Sequence, residues 1–266
     1  MSNSLFKAAA TCLAAQSIDD KVALSQSYAQ MWRSGELCLQ DDSAPEPIGE
    51  PGRPAKPTLV EPRELHARKI GSPEGQAALI HAICHIEFNA INLAWDAVYR
   101  FRDLPTEFYD GWVKVADEEA YHFTLLREHL QSLGYDYGDF DAHNGLWEMA
   151  QKTADDPMIR MALVPRVLEA RGLDVTPGIM TKLRSIGDLK AVSILEIIFR
   201  DEVGHVEIGS RWFEYLCKQR DMEPESTFRD LLEEYMKGSV KGPFHKEARL
   251  KAGFSEEELA YLEGMG

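Results

Sequence analysis

Two Glu-x-x-His steps, Glu119/His122 and Glu202/His205, each come after a lone glutamate at nearly the same interval. Glu87 stands 32 residues before Glu119, and Glu169 stands 33 before Glu202. Residues three apart on a helix share a face, so each step turns a carboxylate and an imidazole toward one point. A repeat of this kind asks for two helical hairpins of matched length. By themselves the steps decide little, because 26 glutamates and 8 histidines in 266 residues yield about one such step by chance.

The surroundings separate these steps from chance. Glu87 shares its helical face with Ile80, Ile83, Cys84, Ala90, Ile91 and Ala94. Glu119 falls with Trp112, Val115, Ala116, Phe123 and Leu126, and Glu202 with Leu195, Ile198, Phe199, Val206 and Gly209. A carboxylate in an apolar stripe is buried, and a buried unpaired carboxylate is strongly disfavoured. A shared metal centre satisfies all three. Glu87, Glu119, His122, Glu169, Glu202 and His205 therefore form a candidate six-ligand set, four carboxylates and two imidazoles, suited to two iron ions, to manganese or to a mixed pair.

Register supports the pairing. Glu87 lies as far before Phe101 as Glu119 lies after Pro105, about 21 Å of helix from the turn in each case. The midpoint of Glu169 and Glu202 falls beside Gly187-Asp188, a second candidate turn. Glu169 is the weak member. Its face neighbours include Pro165 and Arg166, and Gly172 and Pro177-Gly178 predict a break or kink after Gly172. Asp117 and Asp201 are candidates to orient a ligand histidine through its second ring nitrogen. His81 and His85 lack an evident third ligand and read as satisfied or exposed histidines. Trp95, Trp112 and Trp212 read as core, and Tyr121 as structural.

No segment alternates with period two over a useful length, so the chain is expected to be all-α. Residues 5–40 predict two helical pieces, with Ser17 as a cap for the second. Six prolines between Pro45 and Pro62 forbid a regular helix from Ser43 to Pro62. This connector reads as an extended run on the surface of the downstream helices, with a flexible tether as the alternative. Ser72-Pro73-Glu74 is a start signal with proline in the first turn, and long helices are expected over 76–101 and, after a turn at Asp103-Leu104-Pro105, 107–133, then a short one near 146–152. A third long helix starts near Pro157 and a fourth spans about 188–218. The tail predicts one helix near 227–236 and an acidic one from Ser255. The implied division is 1–71, a helical segment plus connector; 72–220, a four-helix bundle; and 221–266, a helical tail.

The net charge of −15 disfavours a general nucleic-acid binder. Four scattered cysteines form no C-x-x-C pair, which argues against a zinc ribbon or a disulfide framework and makes a reducing cytoplasm the default. No run approaches the 18 or so apolar residues of a membrane span. The Ala8–Ala15 patch reads as a short amphipathic helix rather than a secretory signal.

With these residues in place the chain resembles the ferritin-like superfamily over about residues 72–220. Di-iron and di-manganese bundles of that superfamily carry this ligand pattern, a glutamate on each of two helices and a Glu-x-x-His step on each of the other two. More narrowly, Glu64-Leu65-His66-Ala67-Arg68, His85-Ile86-Glu87-Phe88-Asn89 and Asp201-Glu202-Val203-Gly204-His205 resemble an uncharacterised bacterial ferritin-like family, domain of unknown function 455. That family is similar in outline to the non-haem di-iron hydroxylase of modified tRNA nucleosides. The resemblance implies bridging roles for Glu119 and Glu202, terminal roles for Glu87 and Glu169, and one histidine per ion. It implies a di-iron oxidoreductase that activates O₂ to oxidise or hydroxylate a small-molecule substrate, with an unknown electron donor. Ferroxidase or iron handling, a manganese catalase-like activity, a modified-tRNA hydroxylase and a metal-free helical scaffold are the alternatives.

Overall fold

A computed structural model describes residues 3–40, 43–66, 68–236 and 240–265. Met1, Ala67 and Gly266, which fall within the ranges given above, lie outside these described residues. Helices and connecting segments account for the described chain, and no strand occurs among the described residues beyond two isolated bridges. The chain divides into two compact units, residues 1–147 and 148–266.

The first unit is built on a long hairpin, α3 (Pro73–Arg100) and α4 (Thr106–Ser132), with α1 (Leu5–Ala14) packed on α3 and α2 (Ile18–Arg33) on α4. The start signals act as expected. Ser17 Oγ accepts from the Asp20 amide and Ser72 Oγ from the Gly75 amide, each satisfying an amide that the first helical turn leaves open. Pro73 fits the first helical position because it has no amide to lose.

α3 is the one helix among the described residues that is long and apolar enough to cross a membrane by composition. This qualifies the expectation that no segment comes near that limit. Most of its apolar window is buried in the protein, as in a core helix, and it carries buried Glu87, Asn89, Asn92 and Asp96. Trp95 and Trp112 are core residues, as expected, while Tyr121 is 45% exposed.

The proline-rich connector forms no regular helix before a short turn at Pro62–Glu64, and it lies against the first unit. The Glu46 amide donates to Tyr99 Oη, the Gly52 amide to the Leu13 carbonyl, and the Val60 amide to the Ala142 carbonyl. The Trp147 indole donates to the Gly49 carbonyl at 2.7 Å. Gly52 is required where it stands, since a Cβ there would collide with the Ala14 carbonyl at the end of α1. Of the two readings of this segment, the extended run is the one observed.

Helix α5 (Gly145–Lys152) leads into the second unit. There α6 (Pro157–Leu163) begins on Asp156, whose side chain accepts from the Met158 and Ile159 amides. It continues through a π-helical turn, Val164–Glu169, into α7 (Ala170–Ser185). α8 (Leu189–Gln219), capped by Asp188, packs against α6 and α7. The tail adds α9 (Pro224–Leu231), a second π-helical turn (Leu232–Met236), α10 (Lys246–Lys251) and α11 (Glu256–Gly264). Ser255 caps α11 in a reciprocal box with Glu258.

The expected break after Gly172 is not observed. Gly172, Pro177 and Gly178 all lie inside α7, and the irregularity sits upstream at Val164–Glu169. Pro165 supplies the reason. Its ring cannot take the ordinary helical bond, and widening the turn removes the clash with the carbonyl four residues back. The Ala170 amide accordingly reaches the Pro165 carbonyl, five residues back. α10 has no counterpart among the sequence expectations, because its six residues carry too little apolar pattern to read.

Candidate metal centre

Within the first unit the α3–α4 hairpin brings Glu87, Glu119 and His122 together. One ligand atom from each lies within 4.8 Å of the others. His122 Nδ1 is 3.3 Å from Glu87 Oε2 and 3.4 Å from Glu119 Oε2. All three side chains are buried. The level register read from the Asp103-Leu104-Pro105 turn is therefore realised in this hairpin.

The electrostatics describe a site short of positive charge. Burial pushes the Glu87 carboxyl well above its ordinary value, and the adjacent Glu119 charge pushes it further. Burial alone would depress the His122 imidazole, but its interactions with Glu119 and Glu87 prevail and raise it to about 11. Glu87 Oε2 is buried and receives no hydrogen bond, because the nearby His122 ring stands at ion-pair distance without hydrogen-bond geometry. A buried carboxylate oxygen without a donor is costly. A divalent cation among two carboxylates and an imidazole removes that cost, and such a donor set suits iron or manganese better than a thiophilic metal.

In the second unit, His205 Nδ1 lies 3.3 Å from Glu202 Oε1 on the same face of α8, reproducing the local geometry of the first step. His205 is fully buried and Glu202 partly so. Glu169 ends the π-helical turn, with its Oε2 buried. Asp117 pairs with Arg33 on α2 at 2.7 Å. Asp201 accepts from its neighbour Arg200 at 2.9 and 3.1 Å.

His81 and His85 are both held by protein groups. His81 Nε2 accepts from the Gly138 amide, and His85 meets Tyr137 Oη at 2.8 Å and the His143 carbonyl at 3.0 Å. Burial lowers each to about 4, so both stay neutral and structural.

Sequence reasoning missed several buried groups of the first and second units. Lys21 is sealed beneath α1, donating to the Cys12 carbonyl at 2.8 Å and to Asn92 Oδ1 at 2.6 Å. Arg166 and Asp174, on either side of Glu169, form buried ion pairs with Glu258 and Arg249. The sequence signal for Arg166 is its place beside Glu169 on one helical face. Nothing in the local pattern marks Lys21.

Residues 14–260 match the family described as protein of unknown function, DUF455. The chain belongs to this family. The chain is also 51% identical over 216 residues to a protein of Haemophilus influenzae (strain Rd) that bears the name "Uncharacterized protein", covering 79% of this chain and 75% of that one. No solved structure matches this member of the DUF455 family.

Proposed function

We propose that this DUF455 protein is a non-haem di-iron oxidoreductase of ferritin-like architecture, with residues 72–220 as its four-helix bundle. Glu87, Glu119, His122, Glu169, Glu202 and His205 would hold two iron ions. The observation that carries this reading is the buried Glu87–Glu119–His122 cluster, in which one carboxylate oxygen has no protein donor. Its support is the second Glu-x-x-His step, whose imidazole and carboxylate share one face of α8 in the same local geometry.

A reduced iron pair, when bound, supplies the electrons that activate O₂ for oxidation or hydroxylation of an organic substrate. The chain's own residues do the rest. The two imidazoles offer Nδ1 from the same side as their helix-mate carboxylates, so each step gives one neutral and one anionic donor. Glu119 and Glu202 are the bridging candidates, and Glu87 and Glu169 the terminal ones. The apolar flanks of α3 and α4 exclude bulk water from the Glu87 carboxylate and strengthen its charge interactions. The substrate is a small molecule, and the reductant is an external electron donor.

Metal analysis of protein purified without chelator and reconstituted with Fe(II) tests the reading. It expects about two iron ions per chain and oxygen consumption that depends on an added reductant. Less than about half an equivalent of iron plus manganese after reconstitution would sink it. So would full metal content in a Glu119→Ala/His122→Ala double variant. Peroxide disproportionation without a reductant would favour a catalase-like activity instead.

A further inference from the structure

Glu169 sits between two buried ion pairs of opposite polarity, both made to the same C-terminal segment. Three residues before it, Arg166 Nη2 donates to Glu258 Oε1 and Oε2 at 2.8 and 2.7 Å, and Arg166 Nε donates to Ser210 Oγ on α8 at 3.1 Å. Five residues after it, Asp174 accepts from Arg249 Nε at 2.9 Å and Arg249 Nη2 at 2.8 Å. The His245 amide donates to Asp174 as well, at 2.9 Å. Phe254 lies between the pairs, with its ring centroid 4.6 Å from the Arg166 guanidinium and 4.9 Å from that of Arg249. All four charged side chains are nearly inaccessible to solvent.

We infer that residues 244–262 are a brace that positions Glu169 by locking the register of the helix that bears it. The inference rests on the di-metal reading of Glu169. Two features favour a positioning role over a stabilising one. Buried ion pairs are weak stabilisers, because desolvation offsets much of their attraction, and their best-attested use is to specify register. The polarity also alternates: the helix presents a cation before Glu169 and an anion after it, and the tail presents the complements. A slip of the helix by one residue breaks both pairs at once. The device is placed where register is least secure, since the Val164–Glu169 π-helical turn contains one residue more than an α-turn and has a neighbouring α-helical alternative.

The full chain with both pairs replaced by apolar side chains of similar size (Arg166→Met, Glu258→Leu, Asp174→Leu, Arg249→Met) separates positioning from stability. The brace predicts a thermal midpoint close to that of wild type. Amide exchange over residues 166–174 should accelerate at least about tenfold, and one of two iron ions should bind about 10- to 100-fold more weakly. Should that variant fail to fold, Glu258→Gln preserves the shape and is held to the same exchange and iron measurements. Unchanged exchange with both ions bound at wild-type affinity overturns the brace. Faster exchange with unchanged iron binding overturns its role at Glu169. A wild-type protein that takes up no metal overturns the di-metal reading and the positioning role together, whatever the exchange result.

Discussion

His122 Nδ1 lies nearer to Glu87 Oε2, across the α3–α4 hairpin at 3.3 Å, than to Glu119 Oε2 on its own helix at 3.4 Å. The inter-helix approach is thus as close as the one enforced by helical spacing. Two helices present acid groups to one imidazole in a space from which water is excluded, and this gives Glu87 its distinctive energetics.

Replacing Glu87 with Gln should separate metal binding from folding. The metal-free protein keeps a neutral group of the same shape and loses one of two adjacent acids, so its stability should rise or stay within about 1 kcal/mol. Iron affinity should fall by at least about tenfold. Denaturant unfolding of chelator-treated protein, beside an iron titration, reads both. A large loss of stability without metal would assign Glu87 to the fold instead.

Lys21 should make stability rise with pH between about 7 and 9. Burial lowers its ammonium from 10.5 to about 7. Between those values the unfolded chain binds the proton and the folded chain does not. The Lys21 contribution to stability therefore rises as pH goes from about 7 toward 10.5 and is lost as pH falls back through that window, while the raised Cys12 and Cys217 thiols oppose it above about 9. In Lys21→Met this slope should be missing, although the variant is less stable at high pH because Asn92 Oδ1 and the Cys12 carbonyl lose their donor. Unfolding free energies at pH 7 and pH 9 for both proteins check the sign.

Two glycines of α8 should respond oppositely to alanine. A Cβ at Gly209 would run into the Pro165 ring, so Gly209→Ala should cost about 1–3 kcal/mol as the π-helical turn is pushed away. Gly204, between Glu202 and His205, has open space at that position. Gly204→Ala should stabilise the helix by about 0.5–1 kcal/mol. Thermal midpoints of the two variants decide the matter, and equal shifts would contradict the packing argument.

Thiol labelling should find one fast cysteine. Cys38 is exposed, whereas burial raises Cys12 to about 12, Cys217 to about 11, and Cys84 well above its ordinary value. Stoichiometric labelling of native protein at neutral pH should therefore stop near one thiol per chain, and the remainder should react only on denaturation. Rapid labelling of two or more would mean that the packing of α1, α3 or α8 opens readily.

The helices and the Glu87–Glu119–His122 cluster are legible in the sequence because each rests on information local to one hairpin: a period of 3.6, a turn at Asp103-Leu104-Pro105, and an acid within an apolar stripe. The caps at Ser17 and Ser72 are legible for the same reason. The π-helical turn is not, because Pro165 and Pro177 are equally strong helix breakers by intrinsic propensity, and packing in the second unit, rather than local pattern, decides which of them distorts the helix. Arg166, Asp174, Arg249 and Glu258 escape because their meaning depends on partners 75 to 92 residues away. Asp117 shows the same limit in reverse, since its partner on α2 lies 84 residues upstream.

The route of the proline-rich connector bears on how a smaller working piece of this protein could be cut. A fragment starting at Pro73, where the composition suggests that the body begins, would discard Gly49, the acceptor of the Trp147 indole, and Thr58 and Val60, which pair with Ala142. It would also uncover the faces of α3 and α4 that α1 and α2 occupy. A minimal version of the first unit must therefore keep its N-terminal helices and this segment, joined in their original order, with trimming confined to loop tips that make no such bonds.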